Sequence, residues 1–164
     1  MLFIADSMLG DIARWLRLLG YDTLYSKDYN DWEILKIAEK EGRTIITRDL
    51  SLYRKARKKK IPAIYLEPED IGEELAYIAS RTGIRLVFKP NKTRCPYCNT
   101  ELMAIPKAEA MALVPPAVGT KYERFWKCPK CKRVYWQGNH WNTIDKVLES
   151  ARHKLDRMVK RSGS

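Results

Sequence analysis

Long apolar runs are missing from this 164-residue chain. None approaches the roughly 18 residues that a membrane-spanning helix needs. The start, MLFIADSMLG, lacks the basic residues and the apolar length of an export signal. Both absences lead to the expectation of a soluble, cytoplasmic protein with no membrane partner. No helix-turn-helix or base-reading recognition helix is apparent, which leaves major-groove DNA readout without a carrier. Histidine is scarce, with only His140 and His153. Glutamine occurs once among many Lys, Glu and Arg, a composition that leans weakly toward a heat-adapted protein.

What is present is positive charge, unevenly placed. The net charge is +11. Residues 1–90 carry 16 Lys and Arg against 14 Asp and Glu, whereas residues 91–164 carry 15 against 6. Such an excess suits a polyanionic partner, most often nucleic acid; a merely solvated basic surface is the alternative. All four cysteines lie in the second part, as the C-x-x-C pairs Cys95/Cys98 and Cys128/Cys131, with 29 residues between them. Pairs of this kind without an export signal favour a metal over disulfides. Four thiolates are the ligand set of a closed structural Zn²⁺ site, with iron or redox thiols as the alternatives, and two complete pairs make His140 unnecessary as a ligand.

Over residues 1–90, short apolar runs alternate with helical patterns. LFIA (2–5), YDTLY (21–25), RTIIT (43–47) and IPAIYL (61–66) read as strands, and IRLVF (84–88) as a fifth. Leu9, Ile12, Ala13, Leu16 and Leu19 fall at helical spacing before Gly20. Asn30 or Asp31 caps a second helix that ends at Gly42. LSLYRKARKK reads as a short basic helix, and PEDIGEELAYIASRTG as a helix with acids in its first turn. The alternation implies an α/β fold: a mostly parallel sheet with helices on both faces. KPNKT (89–93) reads as a linker and divides the chain into residues 1–90 and a basic module of residues 91–164. From Thr143 onward, Ile144, Val147, Leu148, Ala151, Leu155, Met158 and Val159 form one stripe of a terminal helix, expected to dock on another surface.

In a parallel sheet, ligands collect beyond the carboxyl ends of the strands. Asp6 follows the first strand directly, Asp49 follows the third by one residue, and Asp31 opens the helix reached from the second. On one rim their carboxylates would converge on a hard cation, Mg²⁺ or Mn²⁺. Helix capping explains any one of them alone, but three close carboxylates repel unless a cation compensates. Arg14 and Arg17, three apart on the first helix, and Arg48 beside Asp49 are candidates for holding phosphate, with solvated faces or a surface ion pair as the alternatives. The run RKARKKK (54–60), ending in Lys58, Lys59 and Lys60, is a candidate RNA track or a solvated helix end. Phe125, Trp126, Tyr135, Trp136, His140 and Trp141 crowd the second knuckle, either to stack unpaired bases or to give a small ribbon its core.

The segments FIADSMLGDIARWLRLLGYDTLY, NDWEILKIAEKEGRTIITRD, RCPYCN and FWKCPKCKRVYWQGNHW together resemble the Mut-seven C-terminal RNase family, from Leu2 to about Trp141. The resemblance implies a PIN-like nuclease domain followed by a zinc ribbon, with divalent-metal-dependent ribonuclease activity. Carried onto this chain, it implies an acidic site of Asp6, Asp31 and Asp49, with Glu67, Glu69 or Asp70 as candidates for the fourth acid that PIN-like sites often have. The expected cofactors are a structural Zn²⁺ and a catalytic Mg²⁺ or Mn²⁺. The expected partner is RNA, single-stranded or looped, in a ribosomal or RNA-processing setting. The rival expectation is a non-catalytic RNA- or ribosome-binding protein that keeps the fold without the turnover.

Overall fold

The computed structural model describes residues 1–163. Four short strands, β1 (Leu2–Ala5), β2 (Asp22–Tyr25), β3 (Thr44–Thr47) and β4 (Ala63–Tyr65), pair in parallel in the order β2-β1-β3-β4. The two-residue period of a strand sorts their side chains. Phe3, Ala5, Ile46 and Ile64 enter one core, and Ile4 and Ile45 enter the other. Helices α1 (Gly10–Leu18) and α4 (Ile71–Thr82) cover the first face, and α2 (Asp31–Glu41) and α3 (Leu50–Lys58) the second. This is the two-faced α/β layer that the alternating pattern predicts. Asn30, not Asp31, caps α2, in a reciprocal box with Glu33, and Gly42 ends the helix in the left-handed region. Gly20 is required for a further reason: a Cβ there would collide with the Lys92 carbonyl oxygen of the linker.

The expected fifth strand is absent from the sheet. Residues 84–88 alternate in burial as a strand would, with Ile84 and Leu86 in the first core. Their backbone groups, however, go to side chains. The Arg85 N–H donates to the Tyr21 hydroxyl at 2.8 Å, and the Leu86 carbonyl accepts from Arg152 at 2.7 Å. The periodicity reported which residues are buried, not which backbone pairs.

Beyond the linker, β5 (Met103–Ile105), β6 (Phe125–Lys127) and β7 (Val134–Trp136) form an antiparallel sheet. The long spacing between the cysteine pairs is filled by β5, by the short helices α5 (Lys107–Met111) and α6 (Pro116–Lys121), and by β6. The terminal helix α7 (His140–Ser162) then leaves the ribbon and packs on α4. Its Ile144, Leu148 and Ala151 are buried in the first core, and Lys154 pairs with Asp70 at 2.9 Å. The docking expected of its stripe is therefore present, against the helix layer of residues 1–90.

The first cysteine knuckle seals one edge of the parallel sheet. An edge strand exposes unpaired backbone groups that must be covered. Here the Thr23 N–H donates to Asn99 Oδ1 at 3.0 Å, and the Thr23 carbonyl accepts from Arg17 Nε at 2.9 Å. Asn99 reaches in with φ of 68°, a conformation asparagine tolerates, and its amide donates to Asp22 at 2.8 Å. Burial pushes the Asp22 carboxyl up, but hydrogen bonds from Arg43 and Asn99 outweigh it and hold it below its ordinary value. A depressed folded-state value contributes stability that is fully present above the unfolded value, about pH 3.9, and is lost as pH falls through the folded one. Acidification below about pH 4 is therefore expected to loosen the ribbon from β2. Asp22→Asn should lower Tm at neutral pH and remove that part of the acid dependence, as melting curves of both proteins against pH will show.

Candidate active site

The chain reverses direction across the sheet, stepping from β1 out to β2 and then back past β1 to β3. The crevice beyond the carboxyl ends of β1 and β3 is where such a sheet binds ligands. Asp6 enters it from β1 and is 6% exposed. Its Oδ1 accepts from the Ser7 N–H at 2.6 Å and its Oδ2 from the Thr47 hydroxyl at 2.7 Å. The same Thr47 oxygen accepts from the Asp49 N–H at 2.9 Å. One buried hydroxyl thus ties the two strand tips together. Asp49 Oδ1 caps α3 through the N–H groups of Ser51 and Leu52, while its Oδ2 has no partner among the described residues. Capping and ligand binding can share this carboxylate.

Asp31 is placed differently. It lies in the first turn of α2, partly exposed, with its carboxylate 3.5 Å from Lys55 Nζ of α3. Among the described residues, the four cysteines are the only group of three or more His, Cys, Asp or Glu placed to share a metal. The three aspartates are held by different partners. Asp6 and Asp49 are joined through Thr47, and Asp31 is engaged by a lysine.

The basic candidates separate as well. Arg17 is buried, and its guanidinium donates to the carbonyls of Thr23 and Pro96, so it faces the domain interface and not solvent. Arg14 is exposed and pairs loosely with Asp11 at 3.5 Å. Arg48 pairs with Glu74 of α4, and its buried Nε has no partner. Lys58, Lys59 and Lys60 do not flank the crevice. Helix α3 starts beside Asp49 and runs away from it, so its nine residues carry them to the far end, about 13 Å off at 1.5 Å per residue.

Two residues that matter here were not singled out from the sequence. Thr47 carries a local signal, because Thr followed two residues later by Asp is a side-chain turn motif. Glu74 is only 4% exposed. It falls three residues after Ile71 and directly before Leu75, on the apolar stripe of α4, where a charge needs a partner. Of the proposed fourth acids, Asp70 caps α4 and holds Lys154. Glu67 and Glu69 line an open groove of about 480 Å³ together with Glu73 and Glu74.

The cysteines converge. Cys95 and Cys131 Sγ lie 3.6 Å apart, Cys98 and Cys128 3.2 Å, and all four fall within 4.8 Å of one another. Tetrahedral Zn–S bonds of about 2.3 Å would set the sulfurs about 3.8 Å apart, so the donor set fits zinc. Burial pushes the Cys98 thiol up, but hydrogen bonds with Thr100 and the neighbouring thiols outweigh it and bring it down to about 6. The Tyr135 hydroxyl lies within hydrogen-bond distance of Cys95 Sγ, at 3.3 Å, and burial followed by that contact raises it far above its ordinary value.

The family model described as the Mut7-C RNAse domain matches residues 1–148. The chain belongs to that family. No curated protein and no solved structure matches it. The match takes in the parallel sheet, the crevice acids and all four cysteines, and membership of the Mut7-C RNAse family gives the protein a nuclease-like role with RNA as its substrate class. Among the described residues, no helix is long and apolar enough to cross a membrane.

Two variants test this geometry. Thr47→Val keeps the shape but strips Asp6 Oδ2 and the Asp49 N–H of their shared partner. It is expected to cost about 1–3 kcal/mol in denaturant unfolding, with zinc retained. Cys98→Ser removes one of the four thiolates that could hold a zinc and is expected to abolish zinc binding and unfold the ribbon, since metal binding and folding of such modules are coupled. Elemental analysis and near-ultraviolet circular dichroism of the ribbon tryptophans report both effects.

Proposed function

We propose that the protein is a divalent-metal-dependent ribonuclease that hydrolyses RNA at the crevice beyond β1 and β3. The Asp6–Thr47–Asp49 link supports this reading, because the Thr47 hydroxyl bonds the Asp6 carboxylate and the Asp49 backbone N–H beyond the carboxyl ends of β1 and β3, where a parallel sheet takes its ligand. Asp6 and Asp49 would hold Mg²⁺ or Mn²⁺, with Asp31 joining them in exchange for Lys55. Such an ion usually binds through one or two carboxylates plus substrate phosphate, so a preassembled three-acid site is not required. When bound, it supplies an activated water and neutralises charge on the phosphate. Thr47 fixes the direction of the Asp6 carboxylate, the Ser7 N–H holds its other oxygen, and the α3 cap fixes Asp49. No histidine base is needed. The substrate is single-stranded or looped RNA, drawn by the basic ribbon, by Arg14 and by the distant Lys58–Lys60 corner.

The engagement of Asp31 by Lys55 favours a second reading, an RNA-binding protein without turnover. RNA cleavage with and without Mn²⁺ separates the two. Asn caps a helix as well as Asp does, so Asp49→Asn keeps the α3 cap while removing the charge. Asp6→Asn and Asp49→Asn are expected to lower turnover by at least roughly 100-fold, beyond the usual cost of outer-shell changes, while RNA affinity is retained. Replacing Lys58, Lys59 and Lys60 by Ala should weaken binding and its salt dependence but spare turnover at saturating RNA. Metal-independent cleavage, or none by the wild type in either ion, would reject the nuclease mechanism.

A further inference from the structure

Where the linker, the first knuckle, the second hairpin and the start of α7 meet, packing leaves a pocket of about 300 Å³. Its walls include Phe88, Tyr97, Trp126, Tyr135, Trp136 and Trp141. Trp141 is held edge-on by Phe88, with ring centroids 4.9 Å apart, and is tilted against Trp126 at 5.6 Å. Phe125 and Trp126 are buried as core residues, whereas Tyr135, Trp136 and Trp141 keep part of their surface open and Tyr97 is mostly exposed. A filled small core leaves no void of this size. An aromatic pocket with a few polar groups at a domain boundary is instead the usual form of a ligand site, and this one is at the small end of their range.

The polar groups and charges indicate which ligand. The Trp126 N–H is spent on Asn91 at 2.9 Å, but the Trp136 and Trp141 N–H groups and His140 have no hydrogen-bond partner among the described residues. Arg133 lies over the Tyr97 ring at 3.9 Å and Arg124 over Trp126 at 5.1 Å, whereas Arg94, which lines the pocket, is held by Asn99, Glu101 and Asp22 and is not free for phosphate. We propose that this pocket receives one unpaired base of an RNA strand, stacked against the indole faces, with the flanking phosphates on the arginine rim. Aromatic faces accept any base, the open N–H groups meet acceptors on a base edge, and the cations suit the phosphates. An apolar protein side chain would use the walls but leave the basic rim unexplained. The inference rests on RNA as the substrate class, but it concerns the ribbon and not the acidic crevice.

The test uses the intact, zinc-loaded protein without Mg²⁺ or Mn²⁺. An RNA decamer carrying 5-iodouridine, irradiated in complex with the protein, should cross-link to Tyr97, Trp136 or Trp141, as read by peptide mapping. In parallel, the decamer should bind roughly ten-fold more tightly than the same strand lacking its bases, the size of one stacked base. Both Trp136→Leu and the exposed His140→Ala should reduce that ratio. Adducts confined to residues 1–87, or no adducts, overturn the proposal and leave the pocket to a protein side chain. A ratio unchanged in both variants overturns it too, and the wild-type cross-link decides if Trp136→Leu fails to fold. Ribbon adducts without any Mn²⁺-dependent cleavage would refute the nuclease mechanism and keep the pocket. Cleavage without ribbon adducts would do the reverse.

Discussion

Arg17 holds the two parts of the molecule together. Its Nε donates to Thr23 on the open edge of β2, its Nη1 donates to Pro96 inside the first C-x-x-C pair, and its own carbonyl accepts the Arg94 N–H at 2.9 Å. Burial pulls the guanidinium pKa down, while Cys95, Cys98 and Asp22 pull it back up. A buried cation is tolerated only where opposite charge or strong acceptors surround it, and here the thiolates that would bind zinc are part of that surrounding. The metal knuckle and the sheet edge therefore depend on one side chain. With the knuckle unfolded, the edge of β2 would lie open to pairing with another chain.

That arrangement shows what a linear pattern can and cannot report. Arg14 and Arg17 are three residues apart on one amphipathic helix and look equivalent. They differ only because β2 and the knuckle close over one of them, a fact of tertiary contact. The same limit applies to residues 84–88, whose alternation is real burial without pairing. It applies again to Lys58–Lys60, whose nearness to Asp49 in sequence is cancelled by the length of α3. By contrast, the four parallel strands, the stop at Gly42, the docking stripe of α7 and the cysteine cluster were legible, because each rests on a period, a backbone conformation or a ligand spacing that the local chain already sets. Asp6 and Asp49 were legible as strand-tip acids. The Thr47 hydroxyl that joins them was not, since the β1–β3 register that brings them together is long-range.

The aromatic residues of the ribbon illustrate a subtler division. Stacking platform and core are competing readings of Phe125, Trp126, Tyr135, Trp136 and Trp141 when taken as a set. Packing splits the set by depth. Phe125 and Trp126 build the core, and the partly open rings of Tyr135, Trp136 and Trp141 line the cavity beside them. Phe88 and the start of α7, from outside the ribbon sheet, complete the walls of that cavity.

Charge is divided in the same way. Around the crevice the nearby cations are already committed, Lys55 to Asp31 and Arg48 to Glu74. The first 90 residues are close to neutral, and their acids gather at the strand tips and in the groove of Glu67, Glu69, Glu73 and Glu74. Such a surface repels a phosphate backbone. On the proposed reading, RNA would be drawn by residues 91–164, with 15 basic and 6 acidic residues, and the crevice would suit a phosphate only with a cation bound. In that proposal binding and cleavage fall to different parts of the molecule, which the hydrogen bonds of Arg17 join.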